Sequence, residues 1–569
     1  MNTKMIMTKH KLSILSLAIS LALAATQALA ANTPDIGDAI RQAQPPSVPA
    51  PPVSVLPQVG GRPQIEGPMT RLPSGPTVEV HSIEIVGNRV IDTAMLAPLV
   101  ADGVGKSLSL AELEALAQRI TKHYRANGYF VARAYIPAQE VTSGSIKIRV
   151  VEGNYGKFKL KNASLVHDDI VQGMLDDVKH YDIVSLDTLE RAMLIINDTP
   201  GVQVTRADVM PGEAVGTSDF AVDTAATQRL AGYVMLDNYG SIYTGRDRVS
   251  FNLDINSVTG HGDRLSLSGM DTNGNNLVNG RIGYSLPLAA NGLRGEIAYS
   301  QTEYQLGNTY SALDATGTAK ALDATVTYPI RRIRAQTLES SLNLAYKDLE
   351  DKIQSTATTT PKRSYSGTAG LSLRDERALL GLDGLTQASA KITLGQLDIN
   401  DATALSHDAA GAQTQGFYSK LMLDLSRISL LPKGFTLTTA FKLQQSLNGK
   451  NLDGSERMAV SGSSAVMAYP SGELIGTDAA FVRAELSRPL PMLGKLQSNW
   501  LAFADWGEAR EENPLAGERN RTISDVGLGW SANYSGALIH SYLTHRLSSR
   551  AVSESYASNK LLVQAGWAF

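Results

Sequence analysis

The chain contains no cysteine. That excludes disulfides, thiolate metal sites and cysteine nucleophiles. After the first thirty residues no run of eighteen consecutive apolar residues occurs. Any later membrane crossing must therefore use strands, whose signal is weaker per segment. Neither charge is in excess, with 52 basic residues against 55 acidic ones, so there is no nucleic-acid footprint. G-x-S-x-G and H-E-x-x-H are both missing, and His261 and His540 stand singly. These absences argue against a hydrolase and leave no metal or cofactor site in view. GVGKS at 103–107 is only part of a phosphate loop, because Val100 stands where the pattern needs a glycine. What the 569 residues do offer is 49 glycines and 6% aromatics, a mixture suited to many strands and turns.

The N-terminus reads as a secretory signal peptide over residues 1–30. Lys4, Lys9 and Lys11 precede an apolar run, and Ala28-Leu29-Ala30 is a small-x-small cleavage site. Residues 31–44 include a short helix in which Asp35 and Asp38 suit the positive end and Arg41 the negative one. Residues 45–76 are proline-rich. That composition predicts an extended spacer; about thirty residues at ~3.1 Å each reach roughly 90 Å.

Residues 77–153 carry a β-α-α-β-β pattern. Helical spacing appears over 91–100 and 110–127, with Leu113, Leu116, Ile120 and Tyr124 on one face, and alternation appears over 130–136 and 145–151. Residues 154–228 repeat the plan, which predicts two tandem copies of one small α/β module.

From residue 229 to 569 the period becomes two. In RVSFNLDIN, Val249, Phe251, Leu253 and Ile255 point one way, while Ser250, Asn252, Asp254 and Asn256 point the other. Sixteen such segments can be delimited: 230–237, 248–258, 263–271, 276–285, 293–304, 318–328, 336–348, 364–374, 387–397, 415–425, 434–445, 478–487, 496–504, 521–531, 536–546 and 560–569. An even number of strands with one apolar and one polar face predicts a mainly β chain with a 16-stranded antiparallel transmembrane barrel. Its lumen would be wet or plugged. The irregular, glycine- and serine-rich stretch 446–477 joins the eleventh and twelfth segments on the extracellular side. A loop of that length inside a compact domain is usually functional, and we expect it to fold back into the lumen.

This order of parts resembles the outer-membrane transporters of two-partner secretion, the TpsB proteins, relatives of the barrel-assembly insertases. Local matches are YRANGYFVARAYIPAQ and GSIKIRVVEG, which are similar to the family's POTRA domain, and LDNYGSIYTGRDRV with TGHGDRLSLSG at the start of the barrel. FADWG at 503–507 is similar to the family's F-x-D-x-G strand motif, through Phe503, Asp505 and Gly507. VMAYPSGE at 466–473 stands where the family carries V-R-G-Y at the tip of its lumenal loop. Val466 and Tyr469 match, Met467 and Ala468 replace the arginine and glycine, and Pro470, Gly472 and Glu473 complete the tip. In the family that arginine pairs with the strand aspartate, here Asp505. The resemblance therefore leaves Asp505 in need of hydration, a proton or another cation, for which Arg457 and Arg483 are the candidates.

The resemblance implies export of a large unfolded β-helical partner protein (an adhesin, haemolysin or growth-inhibition toxin) across the outer membrane without ATP. It further implies POTRA-like domains in the periplasm that bind the partner, outer-membrane lipid around the barrel, and delivery to the barrel-assembly machinery through the C-terminal strand ending in Phe569. An assembly insertase is the alternative, which the helix and proline-rich spacer disfavour; an outer-membrane enzyme is a third reading.

Overall fold

The computed structural model describes residues 34–44, 76–141, 143–274, 276–514, 520–553 and 558–569. The signal-peptide reading and residues 45–75 of the spacer lie outside these. Sixteen strands, from Leu230–Asp237 to Asn559–Ala568, form a closed barrel in which each pairs antiparallel with its sequence neighbour. The last strand returns to the first through five residue pairs, from Gln564 opposite Asp237 to Ala568 opposite Tyr233.

Alternation sets the faces. Val249, Phe251, Leu342, Leu344, Leu425 and Leu528 are exposed on the outer wall, while Ser250, Lys420, Gln444 and Asp525 are buried within. This inverted distribution is that of a barrel with lipid outside and polar groups inside. All sixteen expected strands are present. Several run further than the alternation indicated: Ala315–Ile333 has 19 residues, and Gln336–Ile353 and Thr358–Asp375 have 18 each. About 9–11 residues cross the hydrocarbon. The extra length of Gln336–Ile353 and Thr358–Asp375 lies at their extracellular ends, where Glu350, Lys352 and Lys362 are carried and the period-two signal fades; Ala315–Ile333 also runs on at its periplasmic end, through Arg331 and Arg332.

On the periplasmic side stand the two modules. The first has a three-stranded sheet in which Ser82–Val86 pairs parallel with Ser145–Val151, and Arg133–Tyr135 pairs antiparallel with the latter. Helix Leu110–Ala126 covers it through Leu113, Leu116, Ile120 and Tyr124, and opens with a Ser109–Glu112 capping box. The expected helix over 91–100 is only one α turn, Thr93–Leu96, followed by 3₁₀ turns at Ala97–Leu99 and Ala101–Gly103. Pro98 has no N–H for the ladder and its ring crowds the preceding turn. The expected strand over 130–136 is reduced to Arg133–Tyr135. The second module repeats the topology: Asn154–Ala163 runs parallel to Thr217–Ala226, with Val202–Pro211 antiparallel on the other side. Its core joins the stacked rings of Phe158 and Phe220, 5.1 Å apart, to Val171, Leu175, Leu189 and Ile196.

The second module sits on the barrel's periplasmic turns. Arg332 makes a two-point pair with Asp198, 2.7 and 2.9 Å, and the His167 amide donates to Gly260 at 2.8 Å. Gly262 packs so closely on Thr199 that a side chain there would clash.

Phe220 is 1% exposed, so Phe220→Ala should destabilise the module by about 3–5 kcal/mol. Urea unfolding of a 76–228 fragment, followed by circular dichroism, measures this directly.

Candidate functional site

Residues 446–477 fold back into the lumen and are held there by charge at the near end and apolar packing at the tip. Glu456 lies between Lys347 at 2.6 Å and Lys420 at 2.9 Å, and Asp453 pairs with Lys362 at 2.7 Å. These lysines stand on three wall strands and point inward. Burial pushes the Glu456 carboxyl up, but Lys347 and Lys420 outweigh it and bring it to about 2. Burial likewise opposes Lys362 and the Ser455 bonds at Asp453, whose carboxyl is held well below the usual range. Buried carboxylates of this kind are tolerable only when paired and hydrogen-bonded.

Further along, Met458–Ala459 pairs with Ile475–Gly476 as a short hairpin, and the tip lies between these strands. Val466 and Tyr469 are fully buried, in a cluster with Val460, Phe481, Ala509 and Ile523. Gly507 makes room for the tip: a Cβ there would stand 3.0 Å from Val460 Cβ and 3.2 Å from Val466 Cγ2. The Ala468 amide donates to Asp525 Oδ2 at 2.6 Å, and Tyr469 Oη donates to the Ser549 carbonyl at 2.8 Å. Pro470 is buried and Gly472 takes φ +79°, a left-handed turn facing Asp38. The Glu473 side chain is buried, bound by Arg521 at 2.5 Å and by the amides of Val552 and Ser553 at 2.8 and 2.9 Å.

Phe503, Asp505 and Gly507 share the inward face of strand Gln497–Arg510. Asp505 is met by Arg483, its direct cross-strand neighbour, through Nε at 2.7 Å and Nη2 at 2.7 Å. The same Nη2 donates to the Ala465 carbonyl of the loop at 2.8 Å. The guanidinium lies 5.6 Å from the Phe481 ring centroid and 5.4 Å from that of Phe503. Met467 packs with Leu501, Phe503 and Leu562. The loop residue at the arginine position is thus apolar, and the cation at Asp505 comes from the wall. Arg457, the other candidate, turns away toward Glu511 at 3.2 Å and Asp35 at 3.7 Å. Asp525 stands opposite Asp505 on the next strand and Arg546 opposite Asp525, so four charged residues form one transverse row.

The sequence reading did not single out Asp525, Asp453, Glu456 or the three lysines. The lysines had a detectable signal: Lys347 falls on the polar face of an alternating strand, so its charge must find a partner inside the lumen.

Helix Ile36–Gln42 also lies in the lumen. Asp35 and Asp38 form a capping box at its start. The Ile36 amide donates to Asp351 Oδ1 at 3.0 Å, and Arg248 Nη1 donates to the Gln42 carbonyl at 2.7 Å. Ile36, Ala39 and Ala43 pack on wall residues including Met270, Tyr304, Ala319 and Leu349. Gly37 abuts the Gly454 backbone with no space for a side chain, and Arg41 donates to the Gly454 carbonyl. Burial raises the Asp38 carboxyl above its ordinary value, with Arg41 at 2.6 Å pulling against it. A cavity of about 320 Å³ remains between helix and loop, and one of about 720 Å³ at the periplasmic end is lined by Arg294, Glu339, Arg374 and Lys442.

A closed polar-lined barrel, two of the chain's own segments inside it and two β-α-α-β-β modules beneath define an outer-membrane transporter. Residues 216–532 match the family described as "Haemolysin secretion/activation protein ShlB/FhaC/HecB", and residues 78–153 match "POTRA domain, ShlB-type". The chain belongs to this haemolysin secretion/activation family of two-partner secretion transporters, which export partner proteins across the outer membrane, with POTRA domains in the periplasm. Among curated relatives, the heme/hemopexin transporter protein HuxB of Haemophilus influenzae is 29% identical over 421 residues, 74% of each chain. The outer membrane transporter CdiB of Dickeya dadantii is 22% identical over 444 residues, 76% of each. The solved structure of CdiB from Escherichia coli shares the fold, with a TM-score of 0.72 and 19% identity over 97% of this chain and 98% of that one.

Arg483→Met removes the only cation bonded to Asp505 among the described residues and should destabilise the folded barrel by about 3–5 kcal/mol. Arg483→Met with Asp505→Asn should recover most of that loss. The temperature at which the folded band disappears on a denaturing gel compares the three proteins.

Proposed function

We propose that this transporter holds its conduit shut with two of its own segments and opens it for one large, unfolded, β-helical partner protein of the adhesin, haemolysin or growth-inhibition toxin class. The reading rests on one observation: helix Ile36–Gln42 lies inside the lumen, packed on the Gly454 turn of the loop and on the opposite wall. Departure of the helix would free the space it fills, and the spacer of residues 45–76 is long enough to let it travel.

The modules supply the capture surface. Strands Ser82–Val86 and Arg133–Tyr135 are the outer strands of the first sheet, so an extended chain can add to either by main-chain hydrogen bonds. Main-chain pairing tolerates many sequences, as an exported polypeptide requires. The lumen's paired charges then let a hydrated strand slide without a strong binding site. Export runs downhill because the partner folds outside and cannot return. The chain acts as a conduit and not as an enzyme. Val466, Met467, Ala468, Tyr469, Pro470, Gly472 and Glu473 fix the loop tip against Phe503, Asp505 and Gly507, and Asp505 with Arg483 keeps that seat rigid. The surrounding partners are outer-membrane lipid on the outer wall and the barrel-assembly machinery, engaged through the strand ending at Phe569.

Deleting residues 34–44 should raise single-channel conductance in planar bilayers severalfold; an unchanged, low conductance refutes the plug. Asp505→Ala should lower export of the partner while the barrel keeps its heat-modifiable migration. Normal export would reduce that residue to scaffolding.

A further inference from the structure

The periplasmic rim is uneven. The second module covers turns 257–262, 288–292 and the Arg332 corner. Around the other half, turns 431–435 and 490–496 are bare. Leu430, Met492 and Leu493 are exposed there, Met492 at 64% and Leu493 at 77%.

Beside these turns lies a cation on the outer wall. Arg488 has the parity of the exposed Val482 on strand Asp478–Pro489, opposite to that of the lumenal Arg483. Its guanidinium is 5.0 Å from the Phe435 ring centroid. Trp500, its cross-strand neighbour, meets the same ring edge-on at 6.1 Å. Trp530 is the next residue in that row. Lys433 and Lys495 project from the two adjacent turns and are exposed. Among the described residues no carboxylate pairs with Arg488, Lys433 or Lys495. The neighbouring turn differs, since Arg374 is paired with Glu376 and Arg377 with Asp375.

We infer that Arg488, with Lys433 and Lys495, forms a site for an anionic phospholipid headgroup of the inner leaflet. A guanidinium fork matches phosphate oxygens, and two ammonium groups add attraction at the same depth. Trp500 is a ring type that favours the headgroup level, and Phe435 packs against it. Met492 and Leu493, exposed on the turn that follows Arg488, extend the apolar surface of the outer wall toward the acyl chains. That continuity, with outward parity of the cation, selects a lipid over a soluble protein.

The absence of native cysteine gives a direct test. The full-length chain carrying Met492→Cys is labelled with an environment-sensitive fluorophore and reconstituted in phosphatidylcholine containing brominated phosphatidylglycerol or, separately, brominated phosphatidylcholine. Each basic group near an anionic lipid gives about fivefold preference. Phosphatidylglycerol should therefore quench at an at least fivefold lower mole fraction, and added salt should weaken the difference. Lys433→Ser, Arg488→Gln and Lys495→Ser together should bring the two lipids level while the label remains quenched by both. Equal quenching in the unsubstituted background, or a preference that survives the triple substitution, overturns the proposal. Absence of quenching by either lipid also overturns it, placing the turn in water or against protein. The unsubstituted comparison decides the matter even if the triple variant fails to fold.

Discussion

A strand in hydrocarbon has no water to satisfy its N–H and C=O groups, so each must meet another strand. Sixteen strands meet that demand only by closing on themselves, and closure creates an interior that nothing else in the fold explains. Its polar walls follow directly: residues alternating with the lipid-facing Val249 and Phe251 must point inward. The same constraint requires the inner charges to find partners across the lumen or along the wall, because water alone does not fill every buried corner.

The lumenal segments answer that requirement. Glu456 and Asp453 neutralise lysines from three separate wall strands, and Arg457 joins the loop to the N-terminal helix through Asp35. Plug and loop are therefore ionic cross-braces as well as obstructions. Removing them exposes mutually compensating charges to water, where solvation replaces what the pairs supplied.

The strands could be read from sequence because one side of each faces lipid, which leaves a period-two record in residues such as Leu342 and Leu344. The record stops where both sides are wet, so the ends near Lys352 and Lys362 could not be placed. The short helix over 91–100 was misjudged because apolar spacing persists through Pro98 although the hydrogen-bond ladder does not. At the site, Arg483 and Arg457 stood equal as cations for Asp505. Hairpin register separates them: the turn at 490–496 sets Arg483 directly opposite Asp505. The pairing of Glu456 with Lys347 and Lys420 joins residues 109 and 36 positions apart, and no local pattern encodes such distances.

The guanidinium beside Asp505 is rooted in the barrel, and the loop reaches that place only with a thioether and backbone groups. Met467 therefore brings no charge to that place, and Asp505 keeps its partner whatever the loop does; the tip's own charge, Glu473, is held elsewhere on the wall by Arg521. The tip's hold on the Asp505 seat is apolar contact with two main-chain hydrogen bonds, Ala465 accepting from Arg483 and Ala468 donating to Asp525, while ion pairing acts further on, at Glu473. The loop's ionic anchors therefore flank the seat, with the lysines on one side and Arg521 on the other, and the charge balance at the seat itself does not depend on the loop.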